Sequence, residues 1–317
     1  MLRILVLGAA AGGGLPQWNC ACECCSAARE GRRGVQPQTQ SSIAVSADGL
    51  RWVVLNASPD IREQLTREAA LHPRCAAGGL RHSPVSAVVL TNADIDHVAG
   101  LLTLRESTPF DLYATARVHE TLAHDHVFRV LRPEHVQRRV LALEERTRML
   151  RSPADAAAAA DGIELTLFAV PGKVALYLED PSRGPDLGTI EEDTVAVEIR
   201  DPGTGRRLLY VPGCAAIDPR VRERLRHADL LLFDGTVFGD DEMRTQGLGP
   251  KTGRRMGHVA MSGEHGSLEG LADLGIGRRV FIHINNSNPV WLEDSPERKA
   301  ALEAGWEIAF DGMELCL

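Results

Sequence analysis

Apolar and polar positions along this chain alternate between two periods. "LRILVLG" near the start is a short apolar run of buried-strand character, and "AAAGGGLPQ" after it reads as a loop. "SIAVSADGLRWVVLNAS" surrounds Asp48-Gly49 with strand-forming residues, which predicts a hairpin. "SPDIREQLTREAAL" carries a Ser cap, an early Pro and spacing of three and four, so it predicts a helix. "VSAVVLT" predicts a strand followed by helical spacing in "DHVAGLLTLRES", and "FDLYATA" with "VHETLAHDHVFRVL" repeats that pair. The Ala-rich run Pro153–Ala160 reads as a helix or a connector. Beyond it "IELTLFAV", "VALYLED", "TVAVEIRD" and "RRLLYVPG" predict four strands. "PRVRERLRHA" then predicts a helix, "DLLLFDGTVF" a strand, "SLEGLADLG" a short helix, "RRVFIHI" a strand, "PERKAALEAG" a helix and "WEIAFDGMEL" a closing pair of strands. Both halves run strands first, then strand–helix alternation. That order predicts α/β architecture: two sheets packed face to face with helices outside, in one compound domain over residues 1–317.

Composition narrows the picture in a few places. With 317 residues and 44% hydrophobic content, a large core is affordable, while 4% aromatics favours thin interleaved layers. A net charge of −8 argues against a general nucleic-acid binder. No apolar run reaches membrane-span length, and the N-terminal apolar stretch has too thin a charged flank for a signal peptide, so a cytoplasmic protein is expected. Arginine-rich spots such as "EGRRG" and "KTGRRMG" leave room for a local anion-binding patch.

Two constellations carry chemistry. "TNADIDHVAGLL" crowds Asn92, Asp94, Asp96 and His97 where a strand ends and a helix begins. An extended backbone would put Asn92, Asp94 and Asp96 on one face, with His97 starting the helix. Carboxylate and imidazole together are ligand types for a divalent metal. A single Asp there would serve only as a helix cap, so metal binding and capping both stay open on the residues alone. The second constellation is the Cys-rich loop at residues 18–26. Cys20, Cys22 and Cys25 offer three thiolates at spacing short enough to wrap one tetrahedral ion, which predicts a structural zinc; Cys24 falls outside that spacing. The alternative is a set of free thiols. "GHVAMSGEHG", with His258 and His265, is Gly-rich and polar like an active-site loop, whereas His119, His124, His126 and His135 read as ordinary core or surface residues. "GAAAGGG" lacks the spacing of a dinucleotide loop.

The run "TNADIDHVAGLL" resembles the His-x-His-x-Asp-His signature of the metallo-β-lactamase superfamily, keeping Asp96, His97 and Gly100. "AVPGK" resembles its Pro-Gly-His turn with Lys173 in the His place, "LLYVPGC" its Gly-Asp strand end with Cys214 in the Asp place, and "VFIHINNSNP" its last ligand strand with His283 retained. With "GGGLPQWNCACECC" in front, the combination is similar to the family of coenzyme PQQ biosynthesis B proteins. The resemblance implies a metallo-β-lactamase-like αββα sandwich of two packed mixed sheets with outer helices. It also implies an active-site metal on Asp96, His97 and His283, with the second-metal positions spoiled by Asn92, Asp94, Lys173 and Cys214. Two histidines and one carboxylate with open positions is the ligand set of non-haem Fe(II) oxygenases. The implied function is synthesis of pyrroloquinoline quinone (PQQ): Fe(II)- and O2-dependent hydroxylation of the tyrosine ring in a cross-linked Glu–Tyr precursor. Asp94 or His258 would then handle protons, and Lys173 would hold a carboxylate or pair with an acid. Zinc is the alternative occupant of the same ligands. Two further readings are a non-catalytic carrier serving transport of PQQ or its precursor towards the periplasm and a metal-dependent hydrolase. A homodimer and contacts with other PQQ-pathway proteins are compatible with all three. The cysteine loop also resembles that of the superfamily's phosphodiesterases of phosphonate breakdown, and that resemblance implies a fourth zinc ligand at Asn286, a weak ligand type, with His258 and His265 as alternatives.

Overall fold

The computed structural model describes all residues except 33, 75–79, 150–161, 181 and 183–188. The predicted element Pro153–Ala160 therefore lies outside the described residues. Fourteen strands are present among the described residues: β1 Arg3–Gly8, β2 Ser42–Ser46, β3 Trp52–Leu55, β4 Val85–Val89, β5 Phe110–Ala114, β6 Val136–Val140, β7 Arg146–Met149, β8 Ile163–Ala169, β9 Val195–Arg200, β10 Arg207–Val211, β11 Leu230–Asp234, β12 Arg278–Ile282, β13 Glu307–Ile308 and β14 Glu314–Cys316. They form two seven-stranded mixed sheets, ordered β14-β1-β2-β3-β4-β5-β6 and β13-β12-β11-β10-β9-β8-β7.

The two sheets repeat one plan. From β14 to β3 neighbours are antiparallel, and from β3 to β6 they are parallel. From β7 to β10 they are antiparallel, and from β10 to β13 parallel. Parallel neighbours need crossovers, and these carry helices such as Ala116–His124, Pro219–Leu225 and Pro296–Glu303.

Side-chain alternation divides the core. Ile4, Val6, Ile43, Val45, Val53, Leu55 and Val89 belong to the cluster shared with the second sheet, whereas Leu5, Leu7, Ala44, Trp52, Val54 and Val88 belong to a separate cluster with the helices. One face of the first sheet thus meets the other sheet and the opposite face meets helices, as period two requires. No helix among the described residues is long and apolar enough to cross a membrane.

Three expectations need correction. "VALYLED" is not a strand: Leu176–Leu178 form a 3-10 turn, in which Leu176 N–H donates to Asp94 Oδ1 at 3.2 Å and the Tyr177 hydroxyl to the Ala93 carbonyl at 2.9 Å. Those bonds tie the segment to the neighbouring loop instead of a ladder. The strands β6 and β7, "VQRRV" and "RTRM", were missed; they are sheet edges whose outward side chains are charged, so they lack an apolar signal. The closing pair β13 and β14 does form, but its members join different sheets. The Asp48-Gly49 hairpin is present, with Asp48 Oδ1 accepting from Leu50 and Arg51 N–H at 2.8 Å.

Candidate metal centre

The crowded segment does not run extended. β4 ends at Val89, and a helical turn spans Ile95–Val98 with Asp94 at its N-cap, so Asp96 and His97 both lie within the turn. Asn92, Asp94 and Asp96 therefore do not share a strand face. His97 and Asp96 come from the end of the first sheet and His283 from the end of β12 in the second. The ligand atoms of Asp96, His97 and His283 lie within 4.8 Å of one another.

The hydrogen bonds decide which imidazole nitrogen faces inward. His97 Nδ1 lies 2.8 Å from Asn92 Oδ1, an amide oxygen that can only accept, so Nδ1 carries the proton. His97 Nε2 is then a lone pair, and it is buried with no hydrogen-bond partner, 3.9 Å from Asp96 Oδ2. His283 Nδ1 lies 3.0 Å from Thr236 Oγ1, while its Nε2 lies 3.2 Å from Asp96 Oδ2. Three electron-pair donors thus converge on one spot, an arrangement that a bound cation satisfies. Burial pushes the His97 imidazole down to about 4, keeping it neutral as a ligand must be. Burial opposes charge on His283 and Asp96, but the charges around them outweigh it: the Asp96 carboxylate raises His283, and His97 together with His283 holds Asp96 below the usual carboxylate range. Both directions say that positive charge is favoured between them.

His283 has φ +57°, a left-handed conformation costly for a non-glycine residue. It is held there by the backbone on its C-terminal side, where Ile284 N–H bonds to Ala9 O at 3.0 Å. A Cβ at Gly12 would stand 3.3 Å from Asp96 Oδ2, so a glycine there lets the N-terminal loop close over the carboxylate.

Asp94 Oδ1 lies 3.7 Å from the Lys173 ammonium, and Lys173 lies 3.7 Å from Glu179 Oε1. Burial would raise Glu179, but Arg255, Lys251 and Lys173 hold it below the usual range. Cys214 is not part of the cluster: its Sγ donates to Ala216 O at 3.1 Å, and burial pushes its thiol up. A cleft of about 280 Å³ joins Asp94, Asp96, Lys173, His258 and His283 and adds Lys251. Lys251 opens the run "KTGRRMG", read above as room for an anion-binding patch, whereas sequence reasoning missed Asp234 and Thr236. The available signal for the latter pair was the acid closing the apolar run "LLLFD", the same strand-end placement as in "TNADIDH".

The second constellation also gathers. The sulfurs of Cys20, Cys22 and Cys25 lie within 4.8 Å of one another. The Asn286 side-chain amide stands 3.2, 3.7 and 3.3 Å from them. In this orientation Asn286 Nδ2–H donates to the three sulfurs and has no lone pair for a metal; an Asn286 ligand would have to present Oδ1 through a flip of the amide. Cys24 points elsewhere, to Asn288 O at 3.5 Å. His258 belongs to the other centre, and His265 is exposed beside Glu264.

Comparison with known proteins fits this geometry. Residues 51–284 match the beta-lactamase superfamily domain. The chain is 52% identical over 316 residues to coenzyme PQQ synthesis protein B of Methylobacterium sp. (strain 4-46), covering 100% of both chains. It is equally identical, at 52%, to that of Rhizobium meliloti (strain 1021), covering 100% of this chain and 98% of the relative. The crystal structure of Zn(2+)-bound PqqB from Methylobacterium extorquens superposes with a TM-score of 0.90 at 51% identity, covering 99% of this chain and 100% of that one. A diphosphatase from the PhnP family, at 19% identity and TM-score 0.67, covers 100% of this chain and 98% of its own and shares the fold. By its fold and its full-length identity to these relatives, the chain belongs to the coenzyme PQQ synthesis protein B family of the beta-lactamase superfamily.

Proposed function

We propose that this chain acts in PQQ synthesis as an iron- and oxygen-dependent hydroxylase of the tyrosine ring in a cross-linked Glu–Tyr precursor. Its part in PQQ synthesis follows from its family; the hydroxylation is the finer reading. One observation carries it. Both imidazoles of the Asp96–His97–His283 set are held through Nδ1 with Nε2 turned to the carboxylate, while the side chains at second-metal positions are engaged elsewhere. Asn92 is spent on His97, Lys173 pairs with Asp94 and Glu179, and Cys214 bonds to Ala216. A hydrolytic pair of metals lacks its ligands here, whereas a single ion has two histidines, one carboxylate and open positions.

Fe(II) held by Asp96, His97 and His283 would supply activation of O2, one oxygen atom entering the ring and the other leaving as water, with the two electrons coming from an external small-molecule reductant. The chain's own residues do the rest. Lys173 and Lys251 line the cleft and offer positive charge to substrate carboxylates. His258, with Nδ1 held 2.7 Å from Asp234, leaves Nε2 as the nitrogen available to take a proton from the ring hydroxyl. Asp94 keeps the 173–178 loop over the cleft through Leu176 N–H.

The test is direct. Anaerobic Fe(II)-loaded protein is mixed with the cross-linked Glu–Tyr compound and a small-molecule reductant such as ascorbate, then with O2, and product mass is read. Addition of oxygen is the expected result, with zinc-loaded protein binding but not converting the compound. Binding without turnover in the iron form would favour a carrier, and hydrolysis of an ester or phosphodiester a hydrolase; either overturns the proposal. Two tightly bound metals at this centre would overturn the mononuclear part.

A further inference from the structure

Asp234 closes β11, is fully buried, and accepts four hydrogen bonds. Cys214 N–H at 2.9 Å and His258 Nδ1–H at 2.7 Å meet Oδ2. Thr236 N–H at 3.0 Å and the Thr236 hydroxyl at 2.7 Å meet Oδ1. Two backbone donors would suffice for an acid that merely finishes a strand. The other two bonds lead to histidines, because Thr236 Oγ1 is also 3.0 Å from His283 Nδ1.

Asp234, His258 and His283 could themselves be read as a second metal trio, since their ligand atoms lie within 4.8 Å of one another. The Thr236 hydroxyl argues otherwise. It sits 2.7 Å from Asp234, 3.1 Å from His258 Nδ1 and 3.0 Å from His283 Nδ1, so hydrogen bonds already join the three groups where an ion would have to stand. The rings of His258 and His283 stack at 5.2 Å, parallel enough that one acid can address both.

We propose that Asp234 and Thr236 are the positioning residues of this centre, setting the tautomer of two histidines from one buried carboxylate. Asp234 accepts the Thr236 hydroxyl proton, which turns the oxygen lone pair of Thr236 to His283 Nδ1–H and leaves His283 Nε2 facing Asp96. Asp234 also accepts His258 Nδ1–H directly, which leaves His258 Nε2 for the cleft. The hydroxyl of Thr236 is the hinge of the device, because a valine of the same shape can neither donate to Asp234 nor accept from His283. The inference rests on the reading that Asp96, His97 and His283 hold a metal.

The test uses full-length protein with zinc retained in its thiolate site, titrated with Co2+ under anaerobic conditions and followed by the visible spectrum of the bound ion. Thr236→Val should bind Co2+ at the Asp96–His97–His283 centre about 10–100-fold more weakly than wild type, the usual cost of losing a hydrogen-bond partner of a metal-bound histidine. Thr236→Ser should restore binding to within about threefold, because it keeps the hydroxyl. A Thr236→Val protein that binds like wild type, or a Thr236→Ser protein no better than Thr236→Val, overturns the inference. Should Thr236→Val not fold, histidine nitrogen NMR of zinc-loaded wild type decides: His258 and His283 must both carry the proton on Nδ1, and a proton on Nε2 of either overturns it. Failure of wild type to bind Co2+ at this centre would instead strike the hydroxylase reading on which the inference rests.

Discussion

Single residues at this centre act through what they are bonded to. Asn92, by sequence a spoiled ligand, is a buried acceptor that fixes the His97 tautomer. Lys173, the other departure from the superfamily pattern, places an ammonium between Asp94 and Glu179. Glu242 shows the cost of burying an acid without a cation. Burial raises its carboxyl to about 7, against partial relief from the Ser287 hydroxyl and Phe238 N–H. A raised folded value means the folded state keeps a proton that the unfolded chain loses. Its stabilising contribution is therefore complete below about 4.5 and declines as pH rises to about 7. The melting temperature of wild type relative to Glu242→Gln should fall across that window and level off above it. The difference corresponds to about 3 kcal/mol at most. A flat difference between pH 5 and 8 would show that the carboxyl is not perturbed.

At the scale of elements, the helical turn Ile95–Val98 is a lever whose placement sets His97. It is docked on the loop after β3 by backbone bonds: Ala57 N–H to His97 O at 2.7 Å and Gly100 N–H to Ala57 O at 2.9 Å. Gly100 makes that approach close. A Cβ there would lie 2.1 Å from Ser58 O and 2.8 Å from Ala57 O, both backbone atoms that cannot swing away. Gly100→Ala should cost roughly 1–3 kcal/mol or more in denaturant unfolding and weaken Co2+ binding as well, since the turn must back off with His97 on it. Loss of stability with unchanged metal affinity would mean that the turn does not position the ligand. The period in "DHVAGLLTLRES" did announce a helical element, although most of it is 3-10 over Ala99–Arg105. The edge strands β6 and β7 were illegible because solvent, not a core, chose their outward residues.

Across the whole molecule, two sheets of like plan meet, and the candidate metal centre lies at the ends of β4 and β12, one from each sheet. The thiolate site ties the N-terminal loop to the segment after β12, because Asn286 follows His283 by three residues and reaches Cys20, Cys22 and Cys25. Replacing Cys22 with Ser should lower zinc content and melting temperature together. Retention of a full zinc complement would refute the thiolate site.

The amino-acid sequence by itself determined the layered α/β architecture, because apolar period and turn residues act over a few neighbours. It also marked Asp96, His97, His283 and the cysteine trio, because each stands in a local motif with its own spacing. Tertiary structure alone decided the rest. Only the folded chain brings Asp234 and Thr236 beneath His283 and His258, turns Asn92 onto His97, and sends β13 and β14 to different sheets. Hydrogen bonds between groups far apart in sequence leave no periodic trace. Which nitrogen of an imidazole carries the proton is settled by the neighbour that folding puts there.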